Sequence, residues 1–340
     1  MGGRHTGARS NGNLAFIRHH ALRLANVVVL AILGALLYRQ VDVRELRTAI
    51  GHADVRLVAA ALALDVPIAV LFVLRSHFVL VRLGYRVEAR VLVPAIILGN
   101  VAGSLTPAST GELLRATALR GHAKVATADG VALVLFERGV SVYLMALTTG
   151  VAAAFVTLSS GRALAVAVAS VPLLAAPAFA PLLLRRLPAP SNGTRTSLAA
   201  RAFGHVSDAA DRLSWILEDR GLLAIWSLIT VLILTMSMLQ VWLLARSISD
   251  VVNPAQAWVA FGGSQLAGIA SLLPLGVGAL DGSLAAILRK FGLTFEQGAG
   301  TAVLLRLVVT IPYGITAIVC YLYLQHLGAS RKRAPGDASR

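Results

Sequence analysis

Six ionisable residues sit inside long apolar runs: Glu112, Arg115, Glu137, Arg138, Asp281 and Arg306. A charged side chain at mid-membrane costs about 2.5–3.5 kcal/mol on insertion scales, so such residues face a bundle interior or a wet cavity. Arginine suits one task there, because its guanidinium stays charged and offers a planar fork of donors that matches phosphate. The setting of these residues is repeated. Ser104-Leu105-Thr106-Pro107, three residues and Gly111 recur as Ser271-Leu272-Leu273-Pro274, three residues and Gly278. An arginine, Arg138 or Arg306, follows each copy roughly 27 residues later. The expected chemistry is anion binding. Two other readings stay open: ion pairs that lock helices together, and a proton-relay role for Glu137 or Asp281. Glu112 and Arg115, three apart on one helix face, form the obvious local pair, and Glu137 or Asp281 is placed to reach Arg138 or Arg306 across the bundle.

The repeated phrase is a helix breaker. Hydrocarbon does not tolerate free backbone amides unless protein or a wet cavity satisfies them. Paired, interrupted apolar segments in corresponding halves therefore point to a transporter's binding site. Helix N-termini after Pro107 and Pro274 would aim amides at the same anion. Asn100 and Gln265 precede the breaks and either hydrogen-bond the substrate or bridge neighbouring helices. The candidate substrate-binding set is Asn100, Ser104, Thr106, Pro107, Gly111, Glu112, Arg115, Glu137 and Arg138 in the first copy. In the second it is Gln265, Ser271, Pro274, Gly276, Gly278, Asp281 and Arg306. No catalytic residue, metal site or cofactor is expected.

Composition sets the class. The chain is 57% hydrophobic and 14% charged, against about 25% charged in soluble domains, and its mean hydropathy is +0.75, so it belongs in a membrane. The net charge of +15 comes from basic residues flanking apolar runs. That is the pattern of topology control and headgroup contact, and no nucleic-acid motif accompanies it. Cys320 is the single cysteine, which excludes an internal disulfide or a thiolate metal site. The adjacent His19 and His20 point to different helix faces and make no two-ligand clamp. Arg4, Arg9, Arg18 and Arg23 precede the first apolar run without a small-residue cleavage site after it, so that run reads as an uncleaved span.

The expected fold is an all-α integral membrane protein, a polytopic bundle of about six full spans plus two re-entrant hairpins in an inverted repeat. Residues 1–20 form a disordered basic N-terminus, 21–326 the transmembrane domain and 327–340 a basic tail. The first half, about 21–184, holds spans at about 22–38 and 57–74, the interrupted segment 91–120, a long run at 126–158 and a Pro-kinked span at 162–184 with Pro172, Pro177 and Pro181. A linker at 185–220 carries an amphipathic helix with Leu198, Ala202, Val206, Ala209, Leu213 and Ile216 on one face. The second half, about 221–326, repeats the plan with a span at 221–245, an interrupted segment at 256–290 and a last span at 298–325 containing Arg306 and Pro312. Arg75, Arg82, Arg86 and Arg90 are read as a basic stretch after the second span. Both termini are expected in the cytoplasm, at the cytoplasmic membrane, although Arg39, Arg44, Arg47 and Arg56 then lie outside, against the positive-inside tendency. Trp215, Trp226, Trp242 and Trp258 read as interface anchors. Asp65 is expected to satisfy an amide freed by Pro67, and Tyr313 to pack beside Pro312.

The motifs resemble a known family. Pro107-Ala108-Ser109-Thr110-Gly111-Glu112-Leu113-Leu114-Arg115 resembles the Pro-Gly-x-x-Gly-Glu-x-x-Arg signature of the lysylphosphatidylglycerol synthase transmembrane-region family, the flippase-like domain. Glu137-Arg138 is similar to its Glu-Arg pair, Pro274 to Asp281 to its second Pro-x-Gly-x-Gly-x-x-Glu motif, and Arg306 to its later arginine. Ala108-Ser109-Thr110 and Asp281 depart from the usual residues at their positions. The resemblance spans roughly 20–326 and implies lipid translocation. Members that make aminoacylated lipid carry a soluble synthase domain after the membrane region, and this chain, ending at Arg340, is expected to supply the translocation part alone. The implied function is a lipid flippase moving a modified phospholipid or a polyprenyl-phosphate glycolipid, with membrane lipids as partners. Arg115, Arg138 and Arg306 would hold phosphate, and Glu112, Glu137 and Asp281 would balance charge. No nucleotide-binding loop is visible, so a gradient or a lipid imbalance would drive it. Two rivals remain: an accessory scaffold for a glycosyltransferase or lipid synthase, and an integral-membrane lipid-phosphate transferase or hydrolase with Glu112 and Glu137 as acid and base.

Overall fold

The computed structural model describes residues 47, 48, 50–173, 177 and 211–333. The expected N-terminal segment, the first span at 22–38, Pro181, residues 185–210 of the linker and the last seven residues of the tail lie outside the described residues. Everything regular among the described residues is helical. Four stretches are long and apolar enough to cross a membrane: Val55–Arg82, Thr127–Thr157, Arg220–Ile248 and Phe295–Leu327. This is the architecture of a helical membrane protein.

The first stretch is two helices, α1 (Val55–Ala63) and α2 (Asp65–Arg82). Asp54 caps α1 by accepting the Arg56 N–H at 2.8 Å. Pro67 follows the joint, where it lacks the N–H to bond one turn back. The side-chain amide of Gln240 spans this place, donating to the Ala61 carbonyl at 2.9 Å and to Asp65 Oδ1 at 2.7 Å. Asp65 thus meets a side-chain amide, where a backbone amide was expected. The helix then runs on to Arg82, so Arg75 lies within it and is buried. It does not belong to a basic loop, which corrects the sequence reading.

Next come α3 (Ala89–Leu105), a 3₁₀ segment Pro107–Glu112, and α4 (Leu113–Ala123). At 1.5 Å per residue neither limb covers the ~30 Å of a hydrocarbon core. They fold against each other. Gly99 lies opposite Arg115 and Gly103 opposite Glu112, so residue numbers rise on one limb as they fall on the other. A Cβ on Gly99 would stand 2.7 Å from the Arg115 Cβ, a distance that side-chain atoms do not adopt, and this near contact sets the register of the hairpin.

The long α5 (Thr127–Thr157) leads into α6 (Ser160–Ser170), the first part of the span expected at 162–184. Residues 211–218 are helical and dock onto the bundle, with Ile216 and Leu217 buried. Arg212 pairs with Asp129 at 3.2 Å, and Arg82 pairs with Asp219 while lying over the Trp215 ring. Then α7 (Arg220–Ile248) crosses the core.

The second interrupted region repeats the first. Here α8 (Pro254–Ala270), a 3₁₀ turn Pro274–Gly276 and α9 (Ala279–Lys290) form a hairpin, with Gly263 opposite Ile287 and Gly268 opposite Leu280. Its tip packs against α3, joining the two halves. The last stretch is α10 (Phe295–Leu305), a π segment Arg306–Thr310 and α11 (Ile311–Arg333). In the π segment Ile311 donates to the Arg306 carbonyl, five residues back. Pro312 removes the next donor, and the wider turn is the local response to that loss. One apolar core, with Leu92, Ile96, Leu133, Phe136 and Trp226 among its members, runs through α2–α5 and α7–α10. Trp226 is fully enclosed there and is not an interface anchor, a second correction.

Candidate functional site

The first break closes on its own hydroxyl. Thr106 Oγ1 donates to the Ala102 carbonyl at 2.9 Å and accepts the Gly111 N–H at 2.6 Å. The chain therefore turns without leaving that amide bare in an apolar region. Pro107, which has no N–H to lose, opens the 3₁₀ segment. Ser104 Oγ donates to the Asn100 carbonyl at 3.1 Å and is exposed, and Asn100 is half-buried one turn earlier.

Two consecutive residues of α5 then reach the hairpin and cross-pair with it. Arg138 Nη1 meets Glu112 Oε1 at 3.4 Å. Arg115 Nη1 meets Glu137 Oε2 at 2.6 Å. The local Glu112–Arg115 pair expected from their spacing does not form; each residue turns to α5 instead. The reason is packing: Gly99 and Gly103 seat Arg115 and Glu112 against α3, and Gly130 lets α5 approach α4 so closely that a Cβ there would stand 2.9 Å from the Ala116 Cβ, which brings both exchanges within reach.

The two pairs differ in setting. The Arg138 and Glu112 side chains are 40% and 15% exposed, whereas Arg115 and Glu137 are each 2% exposed. Behind Glu137 lies a group that the sequence reading did not place in the site. Ser76 Oγ donates to Glu137 Oε1 at 2.6 Å, and Arg75 Nη2 stands 4.0 Å from Oε2. Arg75 donates to Ser141 at 3.2 Å and Thr230 at 3.4 Å, with the rings of Phe72 and Trp226 4.5 and 4.9 Å from its guanidinium carbon. Phe136 meets Trp226 edge-on at 4.8 Å. The signal that could have found Arg75 is the apolar run Val79-Leu80-Val81 beyond it, which carries the span past the charge.

The second copy is built alike but tied differently. Arg306 grips Asp281 with Nε at 3.0 Å and Nη2 at 2.9 Å, and Nη2 also donates to the Leu275 carbonyl at 2.9 Å. Asp281 Oδ2 accepts the Gly278 N–H at 3.2 Å. Ser271 Oγ donates to the Gly268 carbonyl at 2.7 Å and accepts the Leu273 N–H at 3.3 Å. The tip following Pro274 is contorted, with φ of +56° at Leu275, +57° at Gly276 and +82° at Gly278. At Gly276 a side chain would also press on Gly268, 3.2 Å away. Leu275 is strained for a residue with a Cβ, at about 1–2 kcal/mol, and its carbonyl is the one that Arg306 holds. Gln265 lies half-buried on α8.

Both breaks thus satisfy part of their own backbone. The Gly111 amide is answered by Thr106 and the Gly278 amide by Asp281, so neither is an open amide cradle of the kind that the sequence suggested. What the two copies share is an acid just past the break, ion-paired to an arginine in the following long helix: Glu112 with Arg138, Asp281 with Arg306.

A family model described as the lysylphosphatidylglycerol synthase TM region matches residues 23–317. No curated protein matches the chain. The matched stretch takes in both hairpins, the buried Arg115–Glu137 contact and both acid–arginine pairs, and the chain belongs to the lysylphosphatidylglycerol synthase TM region family.

Proposed function

We propose that this protein moves an anionic lipid between the leaflets of the cytoplasmic membrane, with both termini in the cytoplasm and the two hairpins acting as inverted, re-entrant gates. One observation carries the reading: each hairpin is tied to the next long helix by an acid–arginine pair that is only partly buried. Such a pair is a place where a lipid phosphate can exchange for a carboxylate. The arginine keeps a partner throughout, so the charge never stands alone in hydrocarbon.

In this reading Arg138 and Arg306 hold the phosphate by turns, and Glu112 and Asp281 take the guanidinium back as it leaves. Asn100, Ser104 and Gln265 line the approach. The cargo is a modified phospholipid or a polyprenyl-phosphate glycolipid, driven by a gradient or by unequal supply on the two sides. Chemistry on the lipid is left to other proteins.

Reconstitution tests it. Purified full-length protein in liposomes containing fluorescent phosphatidylglycerol should speed leaflet exchange well above that of empty liposomes, and Arg306→Ala should remove the gain. Exchange at the empty-liposome rate, with folded protein present, would overturn the reading in favour of a scaffold for a lipid-modifying enzyme or glycosyltransferase.

A further inference from the structure

Among the described residues, charge does not balance around the first hairpin. Arg75, Arg115 and Arg138 lie within electrostatic reach of Glu112 and Glu137, so three cations face two carboxylates. The excess sits at the buried end. Glu137 commits one oxygen to Arg115 and the other to Ser76, leaving Arg75 at 4.0 Å, beyond hydrogen-bond range. Among the described residues Arg75 donates only to the neutral hydroxyls of Ser141 and Thr230, and it is 6% exposed.

Donors are left over as well. Nε of Arg75, and Nε and Nη2 of Arg115, are buried without an acceptor among the described residues. A buried donor left unpaired is destabilising, more so when it belongs to a charged group, and so is an uncompensated buried charge. Both deficits call for the same missing partner: a single negative charge with more than one acceptor position. A dianion would overshoot, and a cation would worsen the imbalance.

We propose that Arg75 and Arg115 together form an inner binding site for a monoanionic group supplied from outside the chain, either a phosphate-type oxyanion or a halide, with Glu137 as the carboxylate that limits its affinity. Aromatic walls from Phe72 and Trp226 exclude water on one side, which strengthens the attraction. The site takes the same chemistry from a free ion or from a lipid phosphodiester. It deepens the translocation reading by adding Arg75 to the residues that meet the cargo, yet its test involves no transport.

Trp226 is the built-in reporter. It is fully enclosed, so iodide in solution does not collide with it, whereas iodide bound at Arg75 lies beside its ring. Delipidated full-length protein in neutral detergent is titrated with iodide at ionic strength held with gluconate. A saturable quenching component is expected, missing in Trp226→Phe and displaced by chloride or inorganic phosphate. Arg75→Gln should abolish it. Glu137→Gln should lower the half-saturating iodide concentration by ~10-fold or more, because a repelling charge has gone; a residue that only held the fold together would weaken binding instead. Glu137→Gln decides the matter if Arg75→Gln does not fold. Displacement by dihexanoyl phosphatidylglycerol but not by dihexanoyl phosphatidylcholine identifies a lipid phosphate as an occupant, and displacement by chloride or phosphate alone identifies a free ion. Linear quenching that is the same in wild type and Trp226→Phe overturns the site. Saturable quenching without lipid exchange in liposomes would leave the site standing and remove the translocation reading.

Discussion

Arg306 and Asp281 meet through two parallel N–H···O bonds, at 3.0 and 2.9 Å, while their counterparts Arg138 and Glu112 share one at 3.4 Å. The second-half arginine is also bonded to the Leu275 carbonyl, so its guanidinium has a fixed orientation. A lysine ammonium cannot reproduce a planar fork that serves a carboxylate and a carbonyl together. Arg306→Lys should therefore slow lipid exchange by ~10-fold or more, against ~3-fold or less for Arg138→Lys. Equal losses at the two positions in the liposome assay would mean that the fork geometry is irrelevant.

Glu137 is held by Arg115 and Ser76 deep in the bundle, and removing either partner should destabilise by a different amount. Ser76→Ala deletes one hydrogen bond to a buried carboxylate, a loss of about 1–3 kcal/mol. Arg115→Met leaves that carboxylate without its close cation, which costs about 3–5 kcal/mol. Combining Arg115→Met with Glu137→Leu should cost less than Arg115→Met alone plus Glu137→Leu alone, because the two residues share one interaction. Thermal unfolding of the four proteins in detergent gives the coupling, and simple additivity would contradict the 2.6 Å contact.

Two tryptophans carry cation–π interactions of different worth. Trp226 is fully enclosed between Phe136 and Arg75, so Trp226→Ala opens a cavity and should cost about 3–5 kcal/mol. Trp215 is 38% exposed over Arg82, and Trp215→Ala, which removes a cation–π interaction at an exposed site, should cost about 0.5–1 kcal/mol. Melting temperatures in one detergent rank the two, and a reversed order would show Trp226 to be dispensable packing.

Asp219 lies at the end of the bundle, ahead of α7, and brings a pH dependence. The Leu222 backbone N–H it accepts, and next the Arg82 side chain, hold its carboxyl below the ordinary aspartate value of 3.8. A folded-state value that is depressed adds stability above the unfolded value and loses it as pH falls through the folded one. The advantage of wild type over Asp219→Asn should accordingly be constant from pH 7 down to about 4 and shrink below that. An advantage that grows on acidification would reverse the assigned sign.

Much of this architecture is legible in the sequence because it is local. The breaks at Thr106-Pro107 and Leu273-Pro274 follow from what proline does to a helix, whatever surrounds it. The bounds of α5 and α7 follow from the length of their apolar runs. Arg75 is misplaced by the sequence for an equally local reason: a charge next to Leu74 looks like the end of a span, and only Glu137, Phe72 and Trp226, brought together by folding, make it an interior residue. Trp226 is misread in the same way, since interface and core tryptophans have the same neighbours in sequence.

The amino-acid order alone determined that the chain is apolar and helical, interrupted twice at matching places, and charged where hydrocarbon penalises charge, because each of these is a property of a short stretch of chain in a given solvent. Only the packed structure decided which acid meets which arginine. That choice depends on how closely helices approach: Gly99 and Gly103 seat Arg115 and Glu112 within the hairpin, and close packing of Gly130 on Ala116 brings the hairpin up to α5, where Arg138 and Glu137 lie. It also decided that the two copies are unequal, with a surplus cation sealed beneath the first and a strained, arginine-held tip on the second, since a balance of buried charge belongs to a three-dimensional neighbourhood and to no single segment.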